Sequence, residues 1–530
     1  MSTAATSAEQ DRAEADVPRT EAPPWPPRAA ERPIKVAMLL TNPCINDGRV
    51  IKEAESLALA GHEVRVYCTL QPGLPETESR AGVTYLRHTF RLRPIKYLVV
   101  RLLGVPEHAE DAGPPENPPR PLLVRLLRVA VILLLSPLVL ILALITGHRG
   151  GLINGRAMYQ VARVINGGWL HVLRRLKPSV RFIRKVLALG PSKVIRTLIR
   201  WSPFHEVAGP MRAYWAARTA IAPSAAAWRP DIVHAHDLVT LPAAVEVQRF
   251  CGARIVYDAH EFATLEIENE DKLARRFKER TEQREIQKTD GMITVSRGFA
   301  REFSERYGIP KPTVVFNSPP YEPRNLIERD VRSDLGFSDD VPLAVYIGGL
   351  NPRRALTQLA EAMVHAPEFQ LVKVGGRVPH WEEMFLEEVE KHGVRDRVHI
   401  LDGVPPSQVI HYVRTGDIGI ITRIKFSLQQ DFSMPNKLFE SLLGRLPIAV
   451  GKVAEIADFL DEHPHGVLMN SLDPEDIARA MRETYERREE LRPTDADVES
   501  IMNEYGLPAQ AAKLIDLYDR VGRRAGGATS

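Results

Sequence analysis

A run of nineteen residues without one charge, VAVILLLSPLVLILALITG at 129–147, sits inside a chain that otherwise alternates short apolar strands with amphipathic helices. As a helix this run spans roughly 28 Å, close to the hydrocarbon thickness of a bilayer. Apolar strands precede it within 34–87 and resume within 231–258, with the spacing of one parallel sheet. Both flanks must then lie on the same side of any membrane, so the segment crosses an even number of times or not at all. No second run of comparable length occurs in the sequence. Ser136-Pro137, near the middle, removes a helical hydrogen bond and favours a kink. Arg120, Arg125 and Arg128 before the run, and Arg149 and Arg156 after it, favour the cytoplasmic face at both ends. The expected form is a shallow hairpin that enters and leaves one leaflet, with basic helices lying on anionic headgroups. A core helix wrapped by the rest of the insert is the competing reading, because periodicity does not separate the two.

Charge distribution favours the membrane. Of 70 Lys and Arg, 15 lie between Asn117 and His205, a stretch with no Asp or Glu. The remainder carries 55 basic against 67 acidic residues, a balance of −12, although the whole chain stands at +3. A buried helix does not require such an acid-free surround, whereas an anionic surface does. A basic segment also suits nucleic acid, but its pairing with the uncharged run makes lipid the expected partner and nucleic acid not. Cys44, Cys68 and Cys251 are scattered and odd in number, which argues against a disulfide framework and a structural zinc site. Residues 1–33 lack an apolar core and read as a disordered tail rather than a signal peptide.

A length of 530 residues calls for more than one core. IKVAMLLT (34–41), a helix from about Arg49 to Ala60 and EVRVYCT (63–69) form a βαβ unit, with a further strand at Val83–Arg87. After the interruption come the strand ends DIVHAH, RIVYDAHE, GMITVS and TVVFNSP. The loop PYEPRNLIERDVRSDLGFSDDV then leads to a second series, LAVYIGG, FQLVKVGG, RVHILDG, GIGIIT and LPIAVG. The expected fold is α/β with two doubly wound Rossmann-like domains. The first spans 34–320 and carries an insert at 92–210; the second spans 335–492. Helices at Pro474–Glu489 and near Pro508–Arg523 close the chain, with 493–530 returning toward the first domain.

Three stretches carry candidate chemistry. NPCINDGRV places Asn46, Asp47 and Gly48 where a helix begins, so free N–H groups and the helix dipole offer an anion site. Simple capping by Asn or Asp gives the same letters. YDAHEF and HAHDL place Asp258, His260 and Glu261, and His234, His236 and Asp237, at the ends of neighbouring strands, where open α/β sheets bind ligands. Their spacing matches no zinc motif, so a hydrogen-bonded cleft wall is expected and no metal. DFSMPNKLFESLLGRLPIAV opens a helix with Asn436 and Lys437, with Glu440 one turn on. Such a lysine reaches a diphosphate, and such a carboxylate accepts two ribose hydroxyls; an exposed ion pair uses the same spacing.

With these pieces in chain order, NDGRVIKEAESLALAGHEV, PDIVHAHD, YDAHE, ITVSRGFAREFSERYG, VVFNSP, YIGGL followed by RRALTQLAEAM, and PNKLFESLLGRLPIAV, the chain resembles glycosyltransferase family 4. These are retaining enzymes of the GT-B fold. The resemblance covers roughly 34–90 and 210–490 and leaves the insert out. It implies a nucleotide-sugar donor held mainly by the C-terminal domain and an acceptor held mainly by the N-terminal one, with no further cofactor. Carried over, Glu440 binds the donor ribose, Asn436 and Lys437 lie near the diphosphate, and Gly348, Gly349 and Arg353 belong to the donor site. His260 matches a histidine at the sugar-transfer site, and Asp47, Gly48 and Arg49 line the loop facing it.

Two positions depart from the family pattern. Phe432 stands eight residues before Glu440, where a second glutamate is usual, with Asp431 or Ser433 as candidate substitutes. Gly349 stands where a basic residue often follows the first strand, leaving Arg354, Arg423 or Lys425 to supply that charge. DAD at 495–497 reads as a surface loop and not a metal site. The expectation is metal-independent, membrane-associated sugar transfer to a lipid or lipid-linked acceptor at the cytoplasmic face of the cell membrane. The alternative is a membrane scaffold of the same shape that has lost catalysis, for which Phe432 and Gly349 speak; a sugar-nucleotide epimerase needs no membrane insert.

Overall fold

Strand order alone divides the chain into two doubly wound sheets. The structure, a computed structural model, describes residues 29–45, 47–89, 213–264, 272–320, 327–350, 355–423, 425 and 427–526. The uncharged run with its basic flanks lies outside these residues, as do Asn46, Arg353 and Arg354. Among the described residues no helix is long and apolar enough to cross a membrane.

The first sheet contains β1 (Lys35–Leu39), β2 (Glu63–Thr69), β3 (Thr77–Arg80), β4 (Val83–His88), β5 (Ile232–His236), β6 (Arg254–Ala259), β7 (Gly291–Thr294) and β8 (Thr313–Val314). Its order is β3-β4-β2-β1-β5-β6-β7-β8. The second contains β9 (Leu343–Ile347), β10 (Gln370–Val374), β11 (Val398–Leu401), β12 (Ile418–Ile421), β13 (Ile448–Gly451) and β14 (Gly466–Met469), in the order β11-β10-β9-β12-β13-β14. Every pairing is parallel except β3 with β4. The central strands are buried on both faces, which is why they read as continuous apolar runs. β4 and β5, the strands on either side of the insert in sequence, belong to this one sheet, with β2 and β1 between them.

Seven helices position the site: α1 (Gly48–Leu59), α2 (Asp237–Cys251), α3 (Arg297–Tyr307), α4 (Asn436–Leu443), α5 (Ala454–Glu462), α6 (Asp495–Tyr505) and α7 (Leu507–Gly526). α7 lays Leu514, Leu517, Tyr518 and Val521 into the cluster formed by Val36, Met38, Val50 and Leu57 on one face of the first sheet. The other face is covered by α2 and α3 through Leu241, Ala244, Phe299 and Phe303.

Three local expectations need correction. The edge strand β3 was not expected, because TESR has no apolar alternation; it forms through a turn at Ala81 and Gly82, both at positive φ. The connecting loop contains a short helix at Val331–Leu335, held by a capping box between Asp330 and Ser333. Asp495 and Asp497 sit in the first turn of α6 rather than a loop, with Thr494 and Asp497 capping each other and Asp495 paired to Arg445.

Candidate functional site

The carboxyl ends of β5 and β6 and the start of α1 bring seven charged or polar side chains together. Arg49 is the pivot. It is 7% exposed and donates from Nε and Nη2 to the two carboxylate oxygens of Asp258 at 2.9 and 2.8 Å. Nη1 donates to the Val315 carbonyl at 2.9 Å, and Glu53, one turn along α1, lies 3.1 Å from Nη2. This fork geometry is what a guanidinium offers a carboxylate. Burial is the largest single influence on Asp258 and opposes its charge, but Arg49 together with the hydrogen bonds from His236 and His260 holds the carboxyl well below the usual range. Arg49, expected in the loop facing His260, has its guanidinium directed inward onto two acids.

The neighbouring expectations divide in the same way. Asp47 caps α1, accepting from Val50 N and from Asn42 Nδ2 at 2.8 Å, so the capping reading of this loop holds for that side chain. Gly48 is exposed, with nothing near a Cβ position.

His260 lies between two acids. Its Nδ1 is 3.3 Å from Asp258 Oδ2, and its Nε2 is 3.1 Å from Asp237 Oδ2. Burial disfavours the charged ring, but Asp237 and then Asp258 more than offset it, and its pKa rises well above 6.5. His236 Nδ1 also reaches Asp258, at 3.2 Å, and stacks on His234 with ring centroids 4.1 Å apart. His234 in turn meets the Tyr518 hydroxyl of α7 at 2.7 Å. Glu53, His234, His236 and Asp258 place ligand atoms within 4.8 Å of one another. The Arg49 guanidinium already supplies positive charge to both acids of that group, which weakens its case as a cation site.

Lys52 and Glu53 were not singled out from sequence. Burial pushes the Glu53 carboxyl up to about 7 against the pull of Arg49. The Lys52 ammonium is pushed down to about 8, by burial first and then Arg49, while donating to Asn317 Oδ1 at 3.0 Å and to the Ser318 carbonyl. The i,i+4 spacing of Arg49 and Glu53 was a legible signal; the contact of Lys52 with residues 265 positions away was not.

Across from this cluster, α4 begins directly after Pro435 and presents Asn436, Lys437 and Glu440. All three are partly exposed, and the Lys437 ammonium lies 3.9 Å from the centroid of the Tyr346 ring on β9. Burial pushes the Glu440 carboxyl up to about 7, with Lys437 and then Lys52 opposing it. Gly348 follows β9 at φ +104°, and a Cβ on Gly375 would come within 2.9 Å of its Cα, so the backbones approach closely here. At Gly349 a Cβ would make only ordinary contact, at 3.6 Å from the Gly376 carbonyl.

Phe432 does not face this groove. Its ring lies over Gly298 at the start of α3, where an added Cβ would be 2.3 Å from Cδ1, and it meets Phe299 edge-on at 6.0 Å. The candidate substitutes for the usual glutamate are committed elsewhere. Asp431 accepts from Ala454 N at the start of α5 and pairs with Lys425 at 2.6 Å; Ser433 donates to the Gln430 carbonyl. Lys425 is thereby also engaged. Further cross-domain bonds surround Phe432: Phe262 N donates to Gln429 at 2.6 Å, and Glu455 accepts from Arg297 N and Gly298 N at 2.7 and 2.8 Å.

The two domains match two described families. The glycosyl transferase 4-like domain matches residues 190–320, and glycosyl transferases group 1 matches 341–487, together more than half of the chain. Two D-inositol 3-phosphate glycosyltransferases are each 21% identical: that of Streptosporangium roseum over 55% of this chain and 69% of its own length, and that of Thermobispora bispora over 55% and 70%. Among solved structures, sucrose-phosphate synthase from Thermosynechococcus elongatus superposes with a TM-score of 0.50 at 13% identity, covering 93% of this chain and 98% of that one. A glycosyltransferase from Rickettsia africae gives 0.52 at 11%, covering 92% and 99%. The chain belongs to the family-4-like glycosyltransferases of the GT-B fold.

Proposed function

We propose that this glycosyltransferase moves a sugar, with retention and without a metal ion, from a nucleotide-sugar to a lipid or lipid-linked acceptor at the cytoplasmic face of the cell membrane. Envelope polysaccharide or glycolipid synthesis is the setting such an acceptor suits. The observation that carries the reading is the acid-free, partly uncharged segment that falls in sequence between β4 and β5, two strands of the same acceptor-side sheet. Because β4 and β5 belong to one sheet, the chain leaves and re-enters the same domain, which favours a segment that lies on or dips into one leaflet. An enzyme held this way meets its acceptor in two dimensions.

On the donor side, Glu440 accepts the ribose hydroxyls, and Lys437 with Asn436 at the start of α4 meets the diphosphate. A nucleoside diphosphate leaves readily only when its growing charge is met by fixed donors, and an ammonium beside a helix N-terminus meets that need without reorganisation. In this reading the leaving phosphate takes the acceptor proton, so no separate nucleophile is required. In this reading Gly48 and Asp47 serve the acceptor side, and the family resemblance assigns Arg353, outside the described residues, to the diphosphate charge.

The test uses full-length, detergent-solubilised protein with radiolabelled nucleotide-sugars. Label is expected to pass into an organic-phase product when membrane lipid extract is the acceptor, and the protein is expected to float with anionic vesicles more than with neutral ones. Transfer to soluble acceptors alone, with no vesicle association, would overturn the proposal.

A further inference from the structure

We infer that Asp237 is a positioning residue for His260, its carboxylate fixing the ring's orientation and its charge at the rim of the cleft. The inference rests on the transferase reading above, which places His260 at the site of sugar transfer, and it adds a residue that reading does not use.

Asp237 follows β5 with no intervening loop and opens α2. It does so at φ +62°, a left-handed conformation that side chains rarely adopt and that Asp and Asn tolerate best. Strain of this kind persists where the surroundings hold it, and here it turns the carboxylate onto His260 Nε2 at 3.1 Å. The side chain remains 43% exposed. On the other edge of the ring stands Asp258, fully buried and already engaged through both oxygens by Arg49. A histidine whose two nitrogens each face a carboxylate oxygen satisfies both only by donating from both, which is the imidazolium form.

The groups around the ring agree with that charge. From β6 comes Asp258, and from α2 comes Asp237. From β5 comes His236, its ring centroid 6.3 Å away, with His234 stacked behind it. From α1 come Arg49 and Glu53, the guanidinium paired with both acids behind the ring. His234 is pushed well below its ordinary value, by burial first and then by His236, whereas His260 is raised. Of these two rings, the one in contact with Asp237 is the one that stays charged. A single substitution at the exposed acid therefore separates positioning from the buried network, which Asp258 maintains without it.

The experiment labels histidine nitrogens in the full-length protein and follows the His260 ring by long-range proton–nitrogen correlation from pH 6 to 9, with His260→Gln for assignment. Asp237→Asn keeps a residue suited to the left-handed backbone, and Asp237→Gly keeps the backbone with no side chain at all. The wild-type ring is expected to titrate well above the ordinary histidine value. In both variants its titration should fall by about 1–3 pH units, the span one adjacent carboxylate accounts for. kcat for sugar transfer should drop roughly tenfold to a hundredfold while the donor KM stays within about twofold, as for a reacting group held slightly out of place. A wild-type ring that titrates as an ordinary histidine, or a titration unchanged in both variants, would overturn the inference. Absence of any nucleotide-induced stabilisation in the wild type would instead overturn the transferase reading and leave the ring titration standing, so the two fail separately.

Discussion

The two sides of the cleft treat charge differently. In the N-terminal domain Arg49, Glu53, Asp258 and His236 are each less than a tenth exposed, with Arg49 paired to both acids and His236 hydrogen-bonded to Asp258, so the guanidinium charge is met within the protein. In the C-terminal domain Asn436, Lys437 and Glu440 lie partly exposed on one short helix. There, burial lifts the Glu440 carboxyl to about 7, and the nearby lysines do not bring it back. Asp258 shows the opposite balance, because Arg49 and the hydrogen bonds from His236 and His260 together outweigh its burial. The difference separates a cluster that holds its own shape from a set of groups whose charge a ligand can complete.

Removing one partner from the balanced side should have the largest effect. Asp258→Asn leaves the Arg49 guanidinium buried without its main counter-charge, and breaking such a pair costs about 3–5 kcal/mol. Chemical denaturation should show that loss, whereas Glu440→Gln should unfold within about 1 kcal/mol of wild type, the range of a partly exposed charge. Equal losses in the two variants would erase the distinction.

Gly298→Ala comes next. Its Cβ would collide with the Phe432 ring, and overpacking of this kind costs about 1–3 kcal/mol. Adding Phe432→Ala should recover most of the loss, so the double-mutant cycle is expected to be strongly non-additive. Additivity would mean that Phe432 does not rest on α3.

A smaller effect is expected in nucleotide binding. In the free protein Glu440 is protonated below about 7 and ionised above it, and only the carboxylate accepts two ribose hydroxyls. Affinity for a nucleoside diphosphate, measured by calorimetry, should rise with pH through about 7 and then level off. Glu440→Gln should lack that rise, and ionisation of the nucleotide itself appears in both proteins and cancels. Smallest of all, Asp47→Ala should lose about 1 kcal/mol, the usual value of an N-cap, and leave nucleotide binding unchanged.

The fold was legible because parallel strands buried on both faces announce themselves as apolar runs, and both sheets follow from those runs. The edge strand β3 was not, since TESR carries no periodic signal and its turn relies on Ala81 at positive φ. At the site, the sequence placed Asp258, His260, Lys437 and Glu440 at strand ends and a helix start, where the structure has them. Direction was harder to read. Arg49 looked like a ligand-facing residue because nothing in NDGRV says that Asp258, 209 positions on, will claim its guanidinium. Phe432 looked like a lost sugar contact, yet its ring fills the space above Gly298, a pairing visible only once both domains are present. Short-range patterns reveal elements and caps, while pairing across the chain decides which charges remain available.

The most direct measurement is a thermal-shift series on full-length, detergent-solubilised protein with UDP, GDP, ADP and TDP, run beside Glu440→Ala and Asp237→Asn. The account predicts that one nucleotide raises the melting temperature, that Glu440→Ala abolishes the rise, and that Asp237→Asn keeps it. No rise with any nucleotide in folded wild-type protein, or a rise undiminished in Glu440→Ala, would contradict it.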